Sequence, residues 1–370
     1  MRNTLGLATS CRAPARARTC TRSALRLWRA MATTVMTVTM VAAMSVSVSP
    51  AFAAKKVKIK LGTLAPEGSP WFAGLKRTAQ EWAAASGGKV ELKIYPGGVL
   101  GDEGDMIRKL RIDQLQGGSF TGIGLGQITR TTIALQIPMM MRSYEELDYV
   151  REKMGPSLEA ELDKAGFVML GWGDAGWAHF FSKTPAPTVA EQRKLKIFMW
   201  AADPDSEAAW RAAQFRPVVM SATDVLSGLQ TGLLESFCTT PVYALSSQWF
   251  GLAKNMVQVN WTPLNGATIV SKARWESIDP ELRAKLREIA LASGEKTRNE
   301  VRQLDGKAVE AMKARGLAVH VPTAVELTEW QKAAELSYPA IRGKVVSEEA
   351  FDQVKKLVLE FRASKDVKSK

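Results

Sequence analysis

The side chains that most often do chemistry are scarce in this chain. There are two histidines, His179 and His320, far apart in sequence, and His320 lies in the apolar stretch 317–321, where it reads as structural. Of three cysteines, Cys11 and Cys20 lie near the start, so Cys238 stands alone after residue 53. One thiol and two distant imidazoles are too few ligands for a thiolate or imidazole metal site, and no neighbouring cation is evident that would activate Cys238. Neither G-x-S-x-G nor H-E-x-x-H occurs. Gly122, Gly124 and Gly126 have the spacing G-x-G-x-G, which is not the dinucleotide fingerprint, and no helix clearly opens there. A Gly-rich backbone approached closely by a ligand is the better reading, and Thr121 within it is a candidate ligand contact. Asp203 and Asp205 fit helix capping better than general acid–base work. The chain is therefore expected to have no catalytic residues, no cofactor and no metal.

Composition is that of an ordinary globular protein. The 370 residues are 46% apolar and 24% charged, enough for two ordinary domains with a sizeable core. The net charge of +13 is uneven: seven arginines fall within residues 1–53 without an acid, leaving +6 for the rest in mixed runs. No basic stripe with interleaved aromatics is present, so nucleic acid is not an expected partner. The arginine-rich start ends near Arg29, an uncharged run follows through Ser49, and Ala51-Phe52-Ala53 supplies a small-x-small cleavage pattern. Residues 1–53 thus read as a cleavable signal peptide leading to the periplasm. The run is rich in Thr, Ser, Ala and Met, which argues against a membrane anchor. No internal disulfide can form afterwards.

The remainder alternates strand-like and helix-like segments, the pattern of an α/β protein. Val57, Ile59 and Leu61 alternate with lysines as in a half-buried strand. Ser69-Pro70 opens a helix whose face carries Trp71, Leu75, Thr78 and Trp82. Segment 117–126 reads as a strand and loop, Ser143 with Glu146 as a capping box, and 167–170 as a short buried strand. A second block follows: strand 195–200, a helix opened by Asp203-Pro204, strand 217–220, helix 223–231, and strand 261–270. Asp279-Pro280 then opens a helix expected to reach Arg315, with Gly316 as its stop. Such length suits a strut across two domains. The tail 365–370 is expected to be flexible.

Four stretches, taken in order, resemble the solute-binding proteins of tripartite ATP-independent periplasmic (TRAP) transporters, the DctP family: IKLGTLAPEGSPW at 59–71, VELKIYPGGVLG at 90–101, LGWGDAGWAHFF at 170–181, and 195–241 with its Leu229-Gln230-Thr231-Gly232. The resemblance implies a periplasmic binding protein type II-like α/β fold. It would have two mixed-sheet domains around a ligand cleft, linked by crossing strands and a long helix. Domain I would comprise 54–174 plus 265–304, and domain II 175–264 plus 305–364. It further implies a protein without catalysis that closes about a hinge and docks on the transporter's membrane subunits; a monomer is expected. A role in presenting bound ligand to a membrane receptor would need the same architecture.

The resemblance implies a carboxylate ligand clamped by arginine, and here this chain departs from it. The arginine of the family's Leu-Lys-Ile-Arg strand is replaced by Phe198, a second arginine by Ala178, and the later asparagine by Thr239. Phe198 is accompanied by Trp200, Trp177 and Trp172, and by Met139 to Met141, which read mainly as core. We expect a pocket for an apolar or aromatic body, with Thr239 and Thr240 binding a polar end. A cation in an aromatic cage, with Asp174 or Asp203 as counter-charge, is the alternative.

Overall fold

The computed structural model describes residues 56–201 and 203–368, with side chains through Lys365; the expected signal peptide lies outside the described residues. The strands are β1 (Val57–Thr63), β2 (Val90–Tyr95), β3 (Gly117–Thr121), β4 (Phe167–Ser182), β5 (Lys196–Trp200), β6 (Arg216–Met220), β7 (Ser236–Thr239), β8 (Asn255–Ser271) and β9 (Ala318–His320). The helices begin with α1 (Pro70–Ala85), α2 (Glu103–Arg111), α3 (Gly122–Leu125) and α4 (Tyr144–Lys164). They continue with α5 (Val189–Gln192), α6 (Ser206–Ala212), α7 (Val225–Thr231) and α8 (Pro241–Ser246). The last four are α9 (Lys272–Glu276), α10 (Pro280–Lys313), α11 (Ala324–Ile341) and α12 (Glu348–Lys368).

All nine strands join one mixed sheet in the order β2-β1-β3-β8-β4-β7-β5-β6, with β9 beside β8. Its centre is the antiparallel pair β4 and β8, of 16 and 17 residues, each roughly 50 Å long at about 3.3 Å per residue. The parallel group β2-β1-β3 attaches where β3 pairs with Gly266–Val270 of β8. The group β7-β5-β6 attaches at the far end of the pair, where β7 meets His179–Ser182 of β4. Two halves are thus spliced through two strands, and α10, 34 residues long, packs against α1 of one half and α8 of the other.

Local chemistry explains the helix starts. Ser69 Oγ accepts from Phe72 N at 3.3 Å ahead of Pro70, and the Trp82 indole donates to the Leu286 carbonyl at 2.9 Å, fastening α1 to α10. Asp102 and Asp105 form a full capping box on α2, and Asp279 caps α10. Gly316, at φ 93°, follows the end of α10 as expected.

Four expectations are corrected. Strands 167–170 and 261–270 are parts of the longer β4 and β8; glycines at 171, 173 and 176 interrupt the alternation in β4, and the register shifts between the Ala178–Thr262 and Phe180–Val257 pairs of the two strands. Segment 117–126 is not strand and loop throughout, because Thr121 caps the short helix α3. Ser143 caps α4, but the Glu146 carboxylate accepts from Arg142 N and Arg362 rather than closing a box. Asp203 and Asp205 make no side-chain cap on α6, which begins at Ser206; both face Arg130 instead. Helix α12 runs through Lys368.

Close backbone approach at the splice makes one glycine sensitive. A Cβ on Gly266 would lie 1.9 Å from the Phe120 carbonyl oxygen. Gly266→Ala is expected to cost at least about 1–3 kcal/mol through forced separation of β3 and β8; a thermal midpoint equal to wild type would refute this.

Candidate functional site

Ala178, Phe198 and Trp200 meet at one cavity of about 130 Å³. That is close to the volume of a cavity known to hold one benzene ring. Ala178 comes from β4 and Phe198 and Trp200 from β5, and the far wall is made by Ile137 beyond the 3-10 turn Arg130–Gln136, Trp210 of α6 and Trp261 of β8. Phe198 is only 5% exposed and packs edge-on to Trp249 at 6.1 Å and against Trp200 at 6.2 Å. Ile123, Ile133 and Ile137 of the opposite half also line the cavity, so apolar side chains from both halves converge here.

The polar groups on the cavity wall are largely committed to one another. Gln136 Nε2 donates to the Asn265 carbonyl at 2.9 Å, Thr262 Oγ1 to the Gln136 carbonyl at 2.8 Å, and Ser337 Oγ to the Ala334 carbonyl at 2.5 Å. Asp203 accepts from Ser206 Oγ and from Arg130 Nη1, the latter at 3.0 Å. Arg130 also donates Nε to the Val345 carbonyl at 2.9 Å, and its Nη2 lies 3.4 Å from Asp205, an ion pair by distance without hydrogen-bond alignment. Burial pushes the Cys238 thiol up, so it stays protonated. What remains open to an occupant is mostly hydrocarbon and aromatic surface.

The other expected residues lie elsewhere. Trp177 is buried against Tyr144, with ring centroids 5.9 Å apart. Trp172, half-buried, lines a depression beside α10. Thr239 pairs with His179 in the sheet, and Thr240 is fully buried as the cap of α8, its Oγ1 accepting from Tyr243 N at 3.4 Å. Met140 and Met141 are core, and Met139 is partly buried against the Phe180 cluster. Met199, Trp210 and Trp261 were not singled out from sequence. Adjacency to Phe198 gave no signal for Met199, because successive side chains in a strand take opposite faces.

Thr121 lines a different cavity. Its N–H and hydroxyl both donate to the buried Glu103 carboxyl, each at 2.7 Å, so the start of α3 is occupied by the protein's own acid. Burial pushes Glu103 up to about 7, against the lowering effect of the Thr121 bonds. An unfolded glutamate titrates near pH 4.3. The unfolded chain therefore loses this proton first, and the contribution to stability falls as pH rises from about 4.5 to 7. E103Q, uncharged and still an acceptor for Thr121, should match wild type near pH 4 and exceed it at pH 8 by about 2–3 kcal/mol. Urea unfolding at both values checks this; an equal difference at both would contradict it.

Residues 61–344 match the family described as bacterial extracellular solute-binding protein, family 7, DctP. The chain is 26% identical over 242 residues to the 2,3-diketo-L-gulonate-binding periplasmic protein YiaO of Escherichia coli K12, covering 63% of this chain and 71% of that one. It is 23% identical over 297 residues to the C4-dicarboxylate-binding periplasmic protein DctP of Rhodobacter capsulatus, covering 78% and 88%. A TRAP periplasmic solute-binding protein from Ralstonia eutropha H16, solved with bound (S)-2-acetolactate, superposes with a TM-score of 0.76 at 20% identity, covering 82% of this chain and 99% of that one. The chain belongs to the DctP family of TRAP-transporter solute-binding proteins.

Proposed function

We propose that this protein binds an uncharged, mainly apolar or aromatic solute in the periplasm and delivers it, as a monomer, to the membrane subunits of a TRAP transporter. The observation that carries this reading is the committed state of the polar groups around Phe198 and Ala178. Closing the site over a carboxylate without a free cation would cost on the order of 3 kcal/mol or more, roughly a hundredfold or more in affinity. Burying about 200 Å² of apolar ligand contributes on the order of 5 kcal/mol instead. A cationic ligand is disfavoured because both candidate counter-charges are already paired, Asp174 with Arg151 and Arg302, and Asp203 with Arg130. Closure would bend the chain where β4, β8 and α10 cross, between lobes 54–174 plus 265–304 and 175–264 plus 305–364.

Native mass spectrometry of the purified protein, followed by denaturation and identification of the released molecule, tests the proposal. An apolar or aromatic neutral compound is the expected result. A hydrophilic carboxylate would overturn the ligand class while leaving the family untouched.

A further inference from the structure

Within the sheet the outer groups β2-β1-β3 and β7-β5-β6 are joined, among the described residues, only through β4 and β8. Three register shifts along β4, with Gly176 at φ 112°, interrupt the ladder there, so this joint is where the sheet can bend. Yet the two groups also touch directly. Asp102, at the start of α2 in the first group, keeps Oδ1 for its own helix, accepting from Glu103 N at 2.7 Å. Its Oδ2 reaches the turn Ala222–Asp224 that follows β6 in the other group. There it accepts from Ala222 N at 2.8 Å and from Ser221 Oγ at 3.1 Å. Asp102 and Ala222 are both buried. The approach is close beside them as well: a Cβ on Gly98, at φ 72°, would lie 2.8 Å from Thr223 Cγ2. Trp71 of α1 and Tyr243 of α8 meet from the same two groups, with ring centroids 6.2 Å apart.

Both ends of the contact are tied to residues of the site. Ser221 follows Met220, whose register partner in β5 is Trp200, and the residue after Asp102 is Glu103, which holds the end of β3 through Thr121. Asp102 itself lines neither cavity. Hydrogen bonds to a carboxylate are the stronger class, and these need no ligand, because donors and acceptor all belong to the chain. We infer that Asp102 is a positioning residue for closure, a latch that holds the two halves together over the solute without touching it. This rests on the reading of the protein as one whose halves close on a solute, but not on the solute's being apolar. Affinity falls in proportion as the closed, binding-competent form is depopulated, so the latch sets how tightly any occupant is held.

Two variants break the latch from opposite sides. Asp102→Asn keeps a capping oxygen for α2, a role in which Asn and Asp rank together, but turns an amide donor toward the Ala222 N–H. Ala222→Pro removes that N–H at the first position of its turn, and Ser221, at ψ 144°, already has the extended backbone that a following proline requires. Small-angle X-ray scattering of the purified protein, with no ligand added, reads the separation of the halves. The wild type is expected to fit the closed form. Each variant is expected to lower the closed-to-open ratio at least about tenfold, the worth of hydrogen bonds to a charged group, with a larger radius of gyration and unchanged helix content by circular dichroism. Variants as compact as the wild type, or a wild type already open, would overturn the latch and leave the class of the solute untouched. Lost helix content in both variants would assign Asp102 to the stability of the fold and overturn the latch as well. A hydrophilic carboxylate released from the purified protein would overturn the apolar reading and leave the latch standing.

Discussion

Asp174→Ala is expected to destabilise the protein by about 3–5 kcal/mol, the range for stripping one partner from a buried ion pair. Asp174 sits in the middle of β4 with its side chain 1% exposed. One oxygen accepts from Arg151 Nη1 of α4; the other accepts from Arg302 of α10, at 2.8 Å from Nε. The two guanidinium groups are themselves mostly covered, at 7% and 18% exposure, and otherwise share only Asp148, which is 45% exposed. Arg302 also lies over the Tyr144 ring at 4.3 Å. Without Asp174, two cations would remain in a space that water enters poorly. Urea unfolding of the variant gives the number, and a double-mutant cycle with Arg151→Gln should show strong coupling. A loss below about 1 kcal/mol would mean that solvent reaches the arginines after all.

Phe198→Arg is expected to weaken binding of the co-purified solute by about a hundredfold or more. The substitution introduces a guanidinium between Trp200 and Trp249, where the nearby acid Asp203 is already neutralised by Arg130. An apolar occupant would then leave the new charge dehydrated and unpaired. Phe198→Leu, which keeps an apolar wall, should cost less than tenfold and separates the charge effect from lost shape. The arginine variant should in turn gain affinity for a small carboxylate such as succinate. Titration calorimetry with both ligands reads the exchange. Unchanged affinity for the native solute would place the Phe198 side chain outside the site.

What could be read from the sequence was what local chemistry dictates. Ser69-Pro70 and Asp279-Pro280 announce helix starts through one side-chain oxygen and one fixed φ, and the structure places the caps there. Val57, Ile59 and Leu61 betray β1 because half of that strand faces a core. The crossing strands were only half legible. Glycines at 171, 173 and 176, with register shifts in β4, interrupt the alternation that marks a strand. The role of Asp203 was not legible at all, since Arg130 lies 73 residues away and no local pattern announces that pairing. Thr239 and Thr240 carry a related ambiguity. A buried hydroxyl suggests a ligand, yet sheet pairing and helix capping place hydroxyls in the interior equally well.

The splice through β4 and β8 also governs when the chain can become a folded protein. Strand β3 finds its antiparallel partner only in Gly266–Val270, and β4 finds its own along nearly the whole of β8. A nascent chain that has emerged as far as β7 therefore holds two unfinished sheet fragments with open edges. The central ladder cannot close until roughly three-quarters of the sequence is available. Pairings of such long sequence separation are slow to form. The last essential strand of the sheet thus comes late in the chain, and both open fragments wait for β8.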